Sequence, residues 1–310
     1  MPEHYQDVVR TVAFRGAVEM ALAEDRGLFR PLATQGSDTG KRVEITDRFS
    51  RLQMQQIQER HGKTQLSFPT VERRWIAKQK RSGVAVPIDA DDKTSTTVEV
   101  KSPIVMGTAD AARAYHDDQW LLGFYGPAIV GEEGTSTVNF KGANVIAADY
   151  GETATNYVGL TFAKINQLQF LRKRRFARQT KSDRLHVGIT AYEAKDLLAM
   201  DKFTNGDYRN TKPLENGEIT EWMGIKWVPA EIDDPTQYPN AAALAVNGSG
   251  HRRLPCWLPS GMFYNTWTEF EGHTDTVPMM NHDELIAGYS NGRAARVHED
   301  KCFIIECAGT

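Results

Sequence analysis

The chain has only three cysteines in 310 residues, Cys256, Cys302 and Cys307, an odd number with no C-x-x-C spacing. That argues against a disulfide framework and predicts buried, reduced thiols in a protein made in the cytoplasm. It has no run of about 18 apolar residues, so no membrane-spanning helix is expected. The opening MPEHYQDVVR lacks the basic end and apolar run of a signal peptide, which argues against secretion. Neither sign of charge dominates: 37 Lys and Arg against 40 Asp and Glu leave a net charge of −3, which predicts no surface that coats a polyanion as a whole.

Catalytic signatures are equally sparse. There is no G-x-S-x-G, H-E-x-x-H or G-x-G-x-x-G, no internal repeat and no low-complexity tract. Gly36–Arg42, GSDTGKR, has three residues between its glycines where a phosphate-binding loop has four. Arg42 also stands where that loop carries a magnesium-binding hydroxyl, so the stretch reads as a connector. His273, Asp275, His282, Asp283 and Glu284 are metal-capable types. Their two histidines are nine apart with a proline between, which reads as a polar surface loop. The acids of DADD, Asp89, Asp91 and Asp92, lack the calcium-hand pattern. No catalytic, cofactor-binding or metal-binding set is assigned, and the chain is expected not to be an enzyme.

What is present is a composition of 40% hydrophobic and 25% charged residues, that of a globular protein with room for a sizeable core. Residues 4–24 have helical spacing. From Thr34 to Pro103 only 19 of 70 residues are hydrophobic. Ordering each residue costs about 1–2 kcal/mol of backbone entropy, so this segment needs a partner surface. Within it VERRWIAKQK and VAVPIDADDK flank RSG, which predicts a hairpin turning at Ser82–Gly83 with Arg73 opposite Asp92 and Arg74 opposite Asp91. Thr108 as N-cap and Pro127 as stop predict a helix over about 108–126, and a second runs over about 161–178. RLHVGIT reads as a buried strand, AYEAKDLLAM as a third helix and KCFIIEC as a central strand.

Two further clusters stand out. Arg172, Lys173, Arg174 and Arg175, joined by Arg178 and Lys181, read as a solvated face or a source of inter-subunit pairs, with contact to a phosphate backbone as the lesser reading. In NGEITEWMGIKWVPA, Asn216–Gly217 supplies a turn. Met223, Ile225 and Trp227 share a strand face, Gly224 permits a bulge or close packing, and Pro229 stops the strand.

Four stretches, taken in order, carry a resemblance. They are ERHGKTQLSFPTVERRWIAKQKRSGVAVPIDADDK, LTFAKINQLQFLRKRRF, LLAMDKFTNGDYRNTKPLENGEITEWMGIKWV and GYSNGRAARVHEDKCFIIEC. Their order, after an N-terminal amphipathic segment, resembles the major capsid protein of tailed bacteriophages. The resemblance implies an α+β, HK97-like capsid fold with an N-arm (1–45), an extended β-hairpin E-loop (46–103) and a peripheral domain with a long spine helix (104–185). It further implies an axial domain (186–295) and a last strand returning to the peripheral domain (296–310). It implies hexamers and pentamers of this chain in an icosahedral shell around double-stranded DNA, without sequence-specific binding and without a membrane. Portal, scaffolding and cement proteins are the other partners implied, with assembly in the host cytoplasm. Expected inter-subunit contacts are Arg73, Arg74, Trp75, Lys78, Lys80, Arg81, Asp89, Asp91 and Asp92, with Trp222 and Trp227 as packing or interface anchors. An encapsulin-type shell around a cargo enzyme, and a metal-dependent enzyme using His273–Glu284, stand as alternatives.

Overall fold

The computed structural model describes residues 27–49, 52, 54, 66–89, 101–151, 158–200, 214–215, 218–219, 221–279 and 282–308. The expected helix over 4–24, Asp91 and Asp92, and the turn at Asn216–Gly217 lie outside them. Helix α1 (Lys101–Tyr125) has 25 residues and is about 37 Å long at 1.5 Å per residue. It begins a full two turns before the expected start. Thr108 lies inside it, its hydroxyl donating to the Val105 carbonyl at 2.8 Å, so Thr108 is no N-cap. The stop at Pro127 is as expected.

Beside α1 lies a four-stranded sheet in the order β1-β14-β15-β4, with β1 (Thr34–Gly36), β4 (Ser82–Ile88), β14 (Met262–Val277) and β15 (Asp283–Arg296). Helix and sheet approach closely: a Cβ on Gly123 would stand 2.3 Å from the Ala294 carbonyl oxygen, so only glycine fits. Three consecutive side chains of α1 then hold three other parts of the chain. The His116 ring bonds the Tyr264 hydroxyl at 2.5 Å and the Ser290 hydroxyl at 2.8 Å. The Asp117 carboxylate accepts backbone N–H groups of Gly27, Leu28 and Phe29 at 2.6–3.0 Å. Asp118 accepts from the backbone of Asn240 and Ala241.

The second layer is a six-stranded mixed sheet in the order β11-β12-β8-β13-β16-β7. Its strands are β7 (Val145–Ile146), β8 (Leu185–Ile189), β11 (Glu221–Trp222), β12 (Ile225–Pro229), β13 (Arg252–Trp257) and β16 (Cys302–Cys307). Every residue of β8 is buried, as RLHVGIT predicts. Helix α2 (Phe162–Arg174) is capped by Thr161, and α3 (Ala191–Ala199) by a Thr190–Glu193 capping box. An aromatic cluster joins the two layers. Phe29 stacks on Trp120 at 4.9 Å, and Trp120 meets Trp257 at 4.5 Å. The three cysteines are buried and unpaired, and burial pushes all three thiols up, that of Cys307 to about 12.

Two expectations need correction. First, β3 (Val71–Ala77) does not pair with β4. It pairs antiparallel with β2 (Arg42–Phe49), which sets Arg73 against Asp47 and Arg74 against Thr46, and on its other side with β5 (Ala128–Val130). β4 instead lies along β15, with Gly83 opposite Tyr289. Gly83 does not turn the chain, having no positive φ; a Cβ there would come 2.2 Å from the Tyr289 ring, so the glycine makes room for an aromatic neighbour. Second, the tight turn in the 221–229 hairpin is Met223–Gly224, with φ of 53° and 70°, so Met223 belongs to the turn and not to the strand face of Ile225 and Trp227. The last strand, β16, pairs with β13 and with β7 inside the six-stranded sheet, and the 262–296 hairpin lies in the sheet beside α1.

Candidate assembly surfaces

Strands β2 and β3 form the root of the arm, where β3 also pairs with β5. There the Trp75 indole donates to the Gly131 carbonyl at 2.7 Å. Arg74 is 2% exposed; its guanidinium reaches Glu299 at 3.2 Å and Glu72 at 2.8 Å. Glu299 also takes the Arg296 Nε on both carboxylate oxygens, and Arg296 donates to the carbonyls of Phe124 and Gly126 at the end of α1. A buried carboxylate shared by two guanidiniums therefore ties the root of the arm to α1 and β15. Three ionised groups are buried here, and the part-exposed Glu72 completes the charge balance that keeps their burial tolerable.

Away from the root the arm offers unburied apolar surface. Leu52, Met54, Leu66 and Phe68 are exposed, Phe68 to 85%. Leu52 and Met54, and again Leu66 and Phe68, are two residues apart in an otherwise polar stretch. That alternation was visible in the sequence and is the signal that charge-based reading passed over. Exposed apolar residues gathered on a projecting segment mark a surface that a partner covers.

The expected contact residues divide into groups. Lys78, Lys80 and Asp89 are exposed on or beside the strands. Arg73 lies 3.6 Å from Glu44. Arg81 pairs with Glu271 at 2.9 Å and sits over the Tyr289 ring at 4.1 Å, so its charge is answered within the chain. Arg74, 2% exposed, has no surface to offer a neighbour. Trp222 and Trp227 are buried in the core cluster, which fits packing of their own fold.

Most of the metal-capable residues of 273–284 lie in strands, with His282 in the turn between them. His273 and Asp275 are in β14, Asp283 and Glu284 in β15, and cross-strand pairs such as His273 with Ala287 spread the group along a long hairpin. Among the described residues no three His, Cys, Asp or Glu side chains gather where they could hold a metal ion. The Thr-rich alternation of 268–277 suits an edge strand, and eight consecutive residues, Glu269 to Thr276, are exposed.

The basic cluster splits as well. Arg172 is buried, bonded to Gln169 and to the Ala177 carbonyl, whereas Lys173 and Arg174 are exposed and Arg175 half-buried. Arg174 lies over the Phe170 ring at 6.0 Å.

A family model described as phage capsid protein matches residues 8–309. A search of curated protein sequences finds no match. Among solved structures, the mature capsid of bacteriophage PhiM1 aligns with a TM-score of 0.67 at 13% identity, covering 96% of this chain and 91% of that one. The capsid of cyanophage Pam1 aligns at 0.67 and 12% identity, covering 95% and 96%. A chain from Mycobacterium phage Che8 aligns at 0.63 and 12% identity, covering 94% and 98%.

Proposed function

The chain belongs to the phage capsid protein family, and from that premise we propose that its work is self-assembly, without turnover, as the major capsid protein of a tailed phage. Copies associate as hexamers and pentamers that close an icosahedral shell around double-stranded DNA, held without sequence-specific contacts. In the capsid vocabulary, the β2–β3 arm is the E-loop and α1 the spine helix. The α1 layer with its long hairpin is the peripheral domain, and the six-stranded sheet the axial domain. Assembly takes place in the bacterial cytoplasm, with a portal protein and a scaffolding protein as partners and a cement protein as an optional one.

The observation that carries this reading is the arm. It is anchored at its root by Arg74, Glu299 and Arg296, yet it exposes Leu52, Met54, Leu66 and Phe68. A second copy supplies the surface these side chains lack. Each such contact is weak, and many per subunit combine into a stable closed particle. The exposed Lys78 and Lys80 add register more than affinity.

Deleting residues 50–69 while closing β2 onto β3 with a two-residue turn tests this. The subunit is expected to stay folded and to lose closed particles by negative-stain microscopy and light scattering. Normal shells from that deletion would sink the E-loop assignment.

A further inference from the structure

The six-stranded sheet carries opposite charge at its two ends. β8 and β12 run parallel and in register, from Leu185 and Ile225 to Ile189 and Pro229. Five residues at about 3.3 Å each separate the two ends by about 17 Å. At the starting end, the close of α2 and the loop into β8 gather Lys173, Arg174, Arg175, Arg178 and Lys181. The ion pairs nearby are Arg184–Glu221 and Lys301–Asp183, which leave those five without a carboxylate partner among the described residues. At the finishing end, β12 runs into Glu231, Asp233 and Asp234, all part-exposed. Glu231 accepts from the Ala191 backbone and Asp234 from that of Thr236.

The basic end also shows two phenyl rings, Phe170 at 52% and Phe176 at 65% exposure. Phe176 occupies the position just past the helix where glycine is usual. Its φ is 56°, its N–H bonds to the Lys173 carbonyl and that of Ala177 to the Arg172 carbonyl, the double-bonded helix stop. A bulky residue there costs about 1 kcal/mol or more against glycine, and Phe176 is kept there with most of its surface exposed.

We propose that the basic, phenylalanine-bearing end of one subunit's six-stranded sheet docks on the Glu231–Asp234 end of a second copy, head to tail. This rests on the shell reading and names a contact within it. Two different patches on one chain that complement each other make a heterologous contact, the kind that closes into a ring. A second copy explains the exposed rings and the matching acids together; double-stranded DNA against the cluster would use the cations and leave the phenyl rings and the acids without a role.

Charge exchange tests it. Arg174→Glu with Arg178→Glu, and separately Asp233→Lys with Asp234→Lys, are each expected to lower the yield of closed particles about tenfold at physiological salt. The quadruple variant, with both ends reversed, is expected to restore most of it. Phe176→Gly keeps the left-handed backbone without strain, so it is expected to fold at least as well as the parent yet assemble several-fold less. Circular dichroism melting confirms folding in every case. Wild-type shells with no effect of either reversal would overturn the contact alone, as would reversal at Arg174 and Arg178 that leaves shells normal but unable to retain DNA. A wild-type chain that never sediments as a particle would overturn the shell reading itself.

Discussion

The arm and the six-stranded sheet are built from the same chain under opposite rules. In β8 every side chain from Leu185 to Ile189 is buried, and β16 pairs on both sides, so that sheet is complete within one subunit. In the arm, Leu52, Met54, Leu66 and Phe68 are exposed, and the root is held by Glu299. The difference teaches where stability ends and assembly begins. Substitutions at the buried positions of the sheet act on folding of the monomer, and substitutions along the arm or at the sheet's charged ends act on association with other copies.

The comparison is broken most strongly at the aromatic junction. Trp257→Ala removes the ring that meets Trp120 and Phe29, and is expected to cost about 3–5 kcal/mol in denaturant unfolding. An intact stability would show that the two layers do not share a core.

Glu299→Gln comes next, because it leaves buried Arg296 without its carboxylate partner and Arg74 with only the part-exposed Glu72. A loss of about 3 kcal/mol is expected, together with fewer particles, since the root of the arm is loosened. A variant that melts normally but assembles poorly would place the clamp wholly on the assembly side.

The third effect is pH dependence. Burial, with Arg30 nearby, pushes His116 down to about 4; burial and then Lys226 push His186 down to about 4. Both stay neutral in the folded state where the unfolded chain binds a proton. Stability is therefore full above about pH 6.5 and falls as pH drops towards 4, by roughly 3 kcal/mol for each histidine. Melting between pH 7 and pH 4 reads this, and His116→Gln should flatten part of the slope.

The smallest effect on the monomer belongs to the arm itself. Replacing Leu52, Met54, Leu66 and Phe68 by glutamine is expected to change subunit stability by less than about 0.5 kcal/mol. Particle formation should nevertheless be lost in light scattering. Unfolding of that variant would show that the arm contributes to the monomer's own fold.

Local patterns were read well where the chain solves its problem locally. The helices expected over about 161–178 and in AYEAKDLLAM form at Phe162–Arg174 and Ala191–Ala199, Leu185–Ile189 is a buried strand, and the apolar run of Cys302–Cys307 is an inner one. The resemblance to a capsid fold came from the order of such elements. Reading failed where the partner is distant. Ser82–Gly83 looked like a turn because glycine between two strand-like runs usually is one; the Tyr289 ring that requires it is some two hundred residues away. The candidate surface was half legible. Lys78, Lys80, Lys173 and Arg174 are exposed as their charge suggested, but Arg74 and Arg172 belong to buried networks that no neighbouring residue announces. Likewise His116, Asp117 and Asp118, adjacent in one helix, bind three different segments that only the packed chain brings to them.

By itself, then, the sequence determined where the three main helices and the buried strands at 185–189 and 302–307 lie, that the thiols are buried, and that Thr34–Pro103 is too sparse in apolar residues to stand alone. Those properties follow from side-chain spacing, capping chemistry and composition, all of which act over a few residues. Only the tertiary structure decided that β3 turns to β2 while β4 crosses to β15, and that Glu299 holds the arm. Strand pairing has little local preference; it goes to whichever edge lets the whole chain bury its apolar faces and satisfy its backbone.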